Sequence, residues 1–247
     1  MTAPSHRLAA ISFDVEQDCP PYLSTTRGME EGLPRILDLL SSKKVRATFF
    51  FTGEMARRYP RLARRVVDEG HELGCHGLRH ERFDRLTPSE ARRVIEKATK
   101  LLRGFSEDVA SFRAPNLQRP RWMLPILRGN GYTVDSSVAR YKPPFPRAAS
   151  WREDGVTVVP VSVTSSVLRL PWPLQKRIHS LLATPVYFSH PWEYVDMTRS
   201  GVRLDCRFNT GDRALGLLEK LLDYLKSRGY RLVTIRELAE ELGGRAE

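Results

Sequence analysis

Acidic side chains crowd the point where the first apolar run of the chain gives way to polar residues. Asp14, Glu16 and Asp18 occupy alternate positions there. Carboxylates held this close repel one another, and a bound cation would remove the repulsion and divide their roles into metal ligand and general base. A solvated acidic loop with a helix cap is the other interpretation, and this segment taken alone favours it.

Two histidines follow a later apolar run at a spacing suited to one metal ion. His76 and His80 form a His-x-x-x-His motif directly after residues 72–75. Two imidazoles with one carboxylate are the ligand set typical of hydrolytic Zn²⁺, which keeps a position open for water. Two ordinary loop histidines are the alternative. His71, which precedes the same run, is predicted to be structural.

Two more side chains capable of chemistry stand at the ends of other runs. Arg113 ends residues 110–113, and its guanidinium can hold a neighbouring carboxylate ionised through a bidentate contact. His190 follows residues 186–189, where an imidazole can act as a general acid. A surface ion pair for Arg113 and a structural role for His190 are the plainer interpretations.

Alternating strands and helices must position these residues. Short β-branched or aromatic runs predict strands at residues 8–14, 45–51, 72–75, 110–113, 132–135, 156–161, 186–189 and 231–233. Helical patterns predict helices at residues 30–41, 54–69, 88–104, 121–128, 174–182, 210–228 and 235–242. This alternation predicts a parallel sheet in one α/β domain over residues 1–247, a closed or nearly closed (β/α) barrel.

Local patterns predict how some of these elements begin and connect. Thr87 with Glu90, and Thr234 with Glu237, predict capping boxes at two helix starts. The proline-rich residues 136–155 predict a long loop that forms a lid or rim over a site.

The polar residues converge on one end of the predicted barrel, because the carboxyl ends of parallel strands meet there. The residues at predicted strand ends are Asp14, Glu16, His76, His80, Arg113, Asp135 and His190. Independent structural roles would scatter them, so their convergence predicts one site.

The order of these motifs resembles the polysaccharide deacetylase (NodB-homology) superfamily. The acidic first motif is followed by His-x-x-x-His, by Arg113-Ala114-Pro115, by Asp135-Ser136-Ser137 and by a final aromatic-x-His that ends at His190. The resemblance implies a distorted (β/α) barrel of about seven units that hydrolyses acyl amides or related C–N bonds.

By resemblance, each motif residue takes a role. His76 and His80 would be metal ligands, Asp14 the general base, Arg113 the residue that orients the base, and His190 the general acid. The backbone amide of Asn116 would help to bind the oxyanion.

The first motif departs from the adjacent aspartates of many members. Asp14-Val15-Glu16 is similar to an Asp-x-Asp/Glu variant, so we assign Glu16 as the third ligand and Asp14 as the base, with the reverse left open. An Asp-Trp element of extracellular deacetylases is replaced by Asp135-Ser136-Ser137, so chitin or peptidoglycan specificity does not follow from the resemblance.

The sequence thus predicts a metal-dependent hydrolase that removes an N-acyl group, first of all acetyl, from an amino sugar or related glycan, with one divalent ion, Zn²⁺ in the first place. A formamide or ureide C–N hydrolase of the same superfamily is one alternative. A catalytically silent glycan-binding protein that uses the same cleft is the other. Trp192 and Tyr194 could stack on a sugar, although simple packing is favoured for both.

Composition limits the partners. The chain has 247 residues and a formal net charge of +11, which is compatible with an anionic or lipid-linked substrate but identifies none, and no nucleic acid is expected because the basic residues are scattered. Residues 163–182 interleave apolar side chains with Arg169, Lys176 and Arg177, a pattern compatible with membrane-surface contact, although core packing is favoured.

Cysteine usage and hydropathy predict a location. The odd, dispersed set of Cys19, Cys75 and Cys206 argues against a disulfide framework and predicts small buried thiols in a reducing compartment. Residues 1–10 contain no apolar signal core, and no run of about 18 apolar residues occurs. A cytoplasmic location is expected.

Overall fold

The computed structural model describes residues 7–143, 145–146 and 148–243. Within these ranges the chain forms nine strands: β1 (Arg7–Val15), β2 (Thr48–Phe51), β3 (Glu72–Cys75), β4 (Ser111–Phe112), β5 (Val134–Asp135), β6 (Trp151–Glu153), β7 (Val156–Val158), β8 (Val186–Ser189) and β9 (Tyr230–Val233). Residues 1–6 of the predicted domain and Pro144 of the predicted lid lie outside the described residues.

Helices follow most of the strands. The α-helices of the described part are α1 (Leu33–Ser42), α2 (Gly53–Arg58), α3 (Pro60–Asp68), α4 (Pro88–Arg103), α5 (Met123–Gly129), α6 (Trp172–Ser180), α7 (Leu204–Arg207), α8 (Asp212–Ser227) and α9 (Ile235–Gly243). A π-helical turn over Gly28–Gly32 leads into α1, and a 3₁₀ turn over Pro191–Tyr194 follows β8.

The strands form one curled sheet in the order β6-β7-β5-β4-β3-β2-β1-β8, and β9 pairs with the first half of β1. Pairing is parallel everywhere except between β6 and β7. This arrangement confirms the predicted distorted (β/α) barrel.

Two apolar cores lie on the two faces of the sheet. The outer core joins the sheet to the surrounding helices and includes Phe13, Phe49 and Leu37. The inner core lies inside the curl and is closed by α9; its members include Leu8, Ala10, Phe50, Val134, Val186, Phe188, Val233, Leu238 and Ala239. Because apolar side chains fill the end of the barrel near α9, its polar chemistry is confined to the opposite end, where the parallel strands finish.

Most predicted elements agree with the structure, and the differences have local causes. The ranges 72–75 and 186–189 match β3 and β8 to the residue, and both capping boxes are present. The single helix predicted over 54–69 is wrong: it divides into α2 and α3 at Tyr59, because Pro60 lacks an N–H and disfavours helical geometry in the residue before it.

Two further differences involve positive φ angles. The helix predicted from residue 210 begins at Asp212, since Gly211 has a φ of 70° and interrupts the helical path. Strand β6 was not predicted. It forms an antiparallel hairpin with β7 through Asp154 and Gly155, within residues interpreted as a loop.

Glycines allow the π-helical turn to approach the 3₁₀ turn after β8 closely. A Cβ atom at Gly28 would lie 2.5 Å from the backbone nitrogen of Trp192, and one at Gly32 would overlap the carbonyl oxygen of Pro191. Any side chain at Gly32 therefore requires one of the two backbones to move.

We expect Gly32→Ala to lower the free energy of unfolding by about 1–3 kcal/mol, because the added methyl group meets backbone atoms that cannot rotate away. Chemical denaturation of both proteins measures the difference. Gly216→Ala in α8 is the matched control, since a Cβ there meets nothing within 4 Å and alanine favours helix. Equal stability of the two variants would contradict the close approach.

Candidate active site

Strand ends deliver the candidate residues to one cleft of about 460 Å³. Along β1 the side chains alternate, so that Phe13 and Val15 enter the outer core while Asp14 and the following Glu16 face the cleft. His76 and His80 follow β3 and His190 follows β8, and all three line the same cleft. The structure therefore brings together residues that are far apart in the chain.

Glu16, His76 and His80 form a cluster suited to a metal ion. One ligand atom from each lies within 4.8 Å of the others. Glu16 Oε2 is 3.3 Å from His76 Nε2 and 2.9 Å from His80 Nε2, and the carboxylate is buried. A buried carboxylate oxygen that faces two imidazole nitrogens fits a divalent cation of the zinc type.

The charge state and orientation of these groups also fit a metal. Burial by itself raises the pKa of Glu16, but the facing imidazoles of His80, His190 and His76 outweigh it and hold the pKa well below its usual range. His76 Nδ1 lies 2.8 Å from the carbonyl oxygen of Arg113, to which it donates, so Nε2 is left as the ligand atom.

Asp14 is held by a fully buried arginine. Arg113 Nη1 lies 2.7 Å from Asp14 Oδ1 and donates to Ser12 Oγ at 2.8 Å. The same guanidinium donates to Ser136 and stacks 4.2 Å from the centre of the Phe50 ring. Among the described residues only Oδ1 of Asp14 is engaged, so its second carboxylate oxygen is available to the cleft.

His190 is fixed from two sides. Its Nδ1 lies 2.7 Å from Glu193 Oε1, and its ring stacks on Trp192 with centroids 5.0 Å apart. Burial lowers the pKa of His190, but the negative charges of Glu16 and Glu193 raise it to about 9. In the metal-free protein the imidazole is therefore protonated at neutral pH, and its Nε2 lies on the side of Glu16, at 3.8 Å.

The sequence interpretation missed the role of Glu193. It named Arg169 only among the cations of residues 163–182, without a partner. Arg169 Nε forms a buried ion pair of 2.6 Å with Glu193, so it is not a surface cation. The spacing of Glu193 three residues after His190, within a proline-initiated turn, was the available signal. Arg169 comes from the loop before α6, and only the tertiary structure brings it to this carboxylate.

Asp135 lies at a strand end as predicted, but it does not line the cleft. It pairs with Arg119 at 2.8 Å and accepts a hydrogen bond from Ser137, whose oxygen in turn accepts from the backbone N–H of Ala114. This network holds the turn that carries Asn116. Asn116 lines the cleft with a φ of 59°.

Three other residues from the sequence analysis have packing roles. Asp18 accepts hydrogen bonds from the backbone N–H groups of Arg27 and Gly28 and so caps the π-helical turn. Its role therefore differs from those of Asp14 and Glu16. His71 is buried and accepts the N–H of Ala47, in agreement with a structural role. Tyr194 is buried and bonded to Ser189, whereas Trp192 lines the cleft.

Residues 163–182 are mainly packed against the protein. Leu168 and Arg169 are buried, whereas Leu174 is 55% exposed beside the exposed Lys176 and Arg177. A membrane-surface role for this stretch stays untested. In the described part of the chain, every helix is too short or too polar to cross a bilayer.

Comparison with known proteins gives a consistent family. The family model described as polysaccharide deacetylase matches residues 3–134. A peptidoglycan-N-acetylglucosamine deacetylase of Bacillus cereus is 26% identical over 95% of this chain and 89% of the relative. A peptidoglycan-N-acetylmuramic acid deacetylase of Bacillus subtilis is 42% identical, over 48% of this chain and 46% of the relative.

Solved structures show the same fold. A crystal structure of a Mycobacterium smegmatis protein superimposes with a TM-score of 0.71 at 17% identity, covering 100% of this chain and 94% of the other. At this identity the likeness concerns the fold alone.

The metal cluster makes a prediction that does not depend on activity. We expect His76→Ala and His80→Ala each to lower Zn²⁺ affinity by on the order of 100-fold or more, because each removes one of three ligands. Metal analysis after dialysis and competition with a chelator measure the loss. His71→Gln is the control, since His71 lies outside the cluster. Full metal content in both alanine variants would rule out the site.

Proposed function

Because this chain belongs to the polysaccharide deacetylase family, we propose that it is a metal-dependent hydrolase that removes an N-acetyl group from an amino sugar of a glycan. The observation that supports this proposal most strongly is the shared cleft. A Glu16-His76-His80 cluster, an arginine-held Asp14 and a protonated His190 face the same space. These are the parts that hydrolysis of an amide requires: ligands, a base and an acid.

The ligands would hold a divalent ion, Zn²⁺ in the first place, which supplies a polarised water and Lewis acidity when bound. Asp14 takes the proton of the attacking water through its second oxygen. Arg113 forms an ion pair with Asp14 and fixes its orientation through the first oxygen. The backbone N–H of Asn116, held at the cleft by the Asp135 network, is proposed to stabilise the oxyanion.

His190 is proposed to protonate the departing amine. An amine leaves poorly unless it receives a proton, so an imidazolium in the same cleft as the base completes the reaction. Glu193 holds the Nδ1 side of the ring, which leaves Nε2 toward the cleft, and Arg169 fixes Glu193 in turn. Glu193 and Arg169 are therefore positioning residues.

Within the class of N-acetylated glycans, the charges at the rim of the cleft favour an anionic substrate. Arg82, Lys142 and Arg203 line it. Arg82 and Arg203 pair with neighbouring aspartates, whereas Lys142 has no ion-pair partner among the described residues. A carboxylate- or phosphate-bearing sugar would meet this cation, and the relative from Bacillus subtilis is named for N-acetylmuramic acid, a carboxylated sugar.

Two alternatives make different predictions. A formamide or ureide hydrolase would use the same base, acid and metal on a smaller substrate, so only substrate profiling separates it. A silent glycan-binding protein would have no need of a buried Glu16 carboxylate beside two histidines, nor of a base held through one oxygen.

We expect the purified, metal-loaded protein to release acetate from N-acetylated amino-sugar oligomers and Asp14→Asn to lower kcat by roughly 10²–10⁴-fold while keeping the metal, because only the base is lost. Glu16→Gln should instead lose the metal. Acetate release and metal content are measured together. Retained metal in Glu16→Gln with lost metal in Asp14→Asn would exchange the two roles.

The same assay compares neutral N-acetylglucosamine oligomers, muramic-acid-containing glycans, and formamide and ureide compounds. A preference for the carboxylated glycan that fades as salt is added supports the anionic proposal, because screening weakens exposed charge contacts. If only formamides or ureides are hydrolysed, the proposed deacetylation is contradicted. If none of these compounds is hydrolysed, the silent glycan-binding protein is favoured.

We expect Glu193→Gln to lower kcat roughly tenfold or more with unchanged metal content and to move the basic limb of the pH–kcat profile to lower pH. The negative charge of Glu193 raises the pKa of His190, so its removal makes the imidazolium lose its proton earlier as pH rises. Glu219→Gln removes the same charge from an exposed position on α8 and is the control, so it should change neither kcat nor the basic limb of the profile. An unmoved basic limb in Glu193→Gln would contradict the assignment.

A further inference from the structure

Two of the three cysteines meet at the wall of the cleft. Cys19 and Cys206 are far apart in sequence, yet their side chains lie close to each other and both line the cleft. They pack in one small apolar cluster with Trp192, Met197 and Val202. This pairing corrects the interpretation of the cysteines as a dispersed set of buried thiols.

The thiols belong to two different wall segments. Cys19 follows β1, in the loop where Asp18 is anchored to the π-helical turn, and Cys206 is in the short helix α7. A second contact joins the same two segments, because Arg203 Nη1 lies 3.5 Å from the hydroxyl of Tyr22. The thiol contact is thus part of an interface and does not depend on one mobile side chain.

We propose that Cys19 and Cys206 form a disulfide bond when the protein meets a small-molecule disulfide such as oxidised glutathione, and that this bond ties the two wall segments of the cleft together. Each thiol gives up one hydrogen, the S–S bond forms between the two sulfurs, and the small-molecule disulfide is reduced to two thiols. The reaction proceeds through one mixed disulfide, which the second thiolate resolves.

The surroundings indicate the order of attack. Cys206 is partly exposed whereas Cys19 is buried. The contact with Cys19 and the charges of Arg169 and Arg203 lower the pKa of Cys206, while the contact with Cys206 and burial raise the pKa of Cys19. Cys206 is therefore the thiol that attacks the oxidant, and Cys19 is the resolving thiol.

Cys75 provides a matched control within the same chain. It is the last residue of β3, fully buried in the outer core next to Tyr132, and burial raises its pKa to about 11. No second thiol packs against it in the described part of the chain, so it should keep its free thiol under the same treatment.

The test treats the metal-loaded full chain with oxidised glutathione, alkylates the remaining thiols and maps the peptides by mass spectrometry. We expect wild type and Cys75→Ser to yield a Cys19–Cys206 cross-linked peptide with the loss of two hydrogens. Tm should rise by roughly 5 °C or more on oxidation, because the bond closes a long loop, and fall again with dithiothreitol.

Single substitutions separate this proposal from simple thiol reactivity. Cys19→Ser should accumulate a glutathione adduct on Cys206, because the resolving thiol is absent, whereas Cys206→Ala should remain unmodified at Cys19. Far-UV circular dichroism checks that both variants are folded. A stable glutathione adduct on wild-type Cys206, or free Cys19 and Cys206 after oxidation, would overturn the proposal. These measurements need no substrate, so they stand or fall separately from the proposed activity.

Discussion

The site depends on one buried residue, Arg113. Its guanidinium contacts Asp14 and Ser12 on β1 and Ser136 after β5. Its backbone N–H donates to the carbonyl oxygen of Cys75 at the end of β3, and its own carbonyl oxygen accepts a hydrogen bond from His76. One side chain and its peptide groups therefore set the relative positions of the base and a metal ligand. An uncompensated Asp14 would cost about 3–5 kcal/mol in such a buried place, so geometry and stability are coupled there.

The buried carboxylates in and beside the cleft follow a common rule with one exception. Asp14, Glu193 and Asp135 each pair with a buried arginine, namely Arg113, Arg169 and Arg119. Glu16 is as deeply buried, but the groups that face it are the imidazoles of His76, His80 and His190. A divalent ion is a positive partner that this carboxylate and two of these imidazoles can bind together.

The fold separates stabilising and reactive regions. Apolar side chains inside the curled sheet and helix α9 fill one end of the barrel, so the polar groups gather at the other. Close packing of the glycine-containing turn against the segment after β8 then brings Trp192 and Glu193 to His190 from the side opposite β3. The acid and the two histidine ligands consequently enter the cleft from strands that are not neighbours in the sheet, with β1 and its Glu16 between them.

Local sequence information was sufficient for most of the elements and for the convergence of most candidate residues on one cleft. Alternating residues on β1 place Asp14 and Glu16 on one face, and parallel strands carry the motif residues to one end, because both effects depend only on backbone periodicity. The assignment of ligand and base rested on the resemblance, and its chemistry remains a proposal. What only the tertiary structure decided was pairing between segments remote in the chain: Arg169 with Glu193, Arg119 with Asp135, and Cys19 with Cys206. At least one partner of each pair lies in a loop or short turn, whose path is set by packing against the rest of the molecule and leaves no periodic pattern in the sequence.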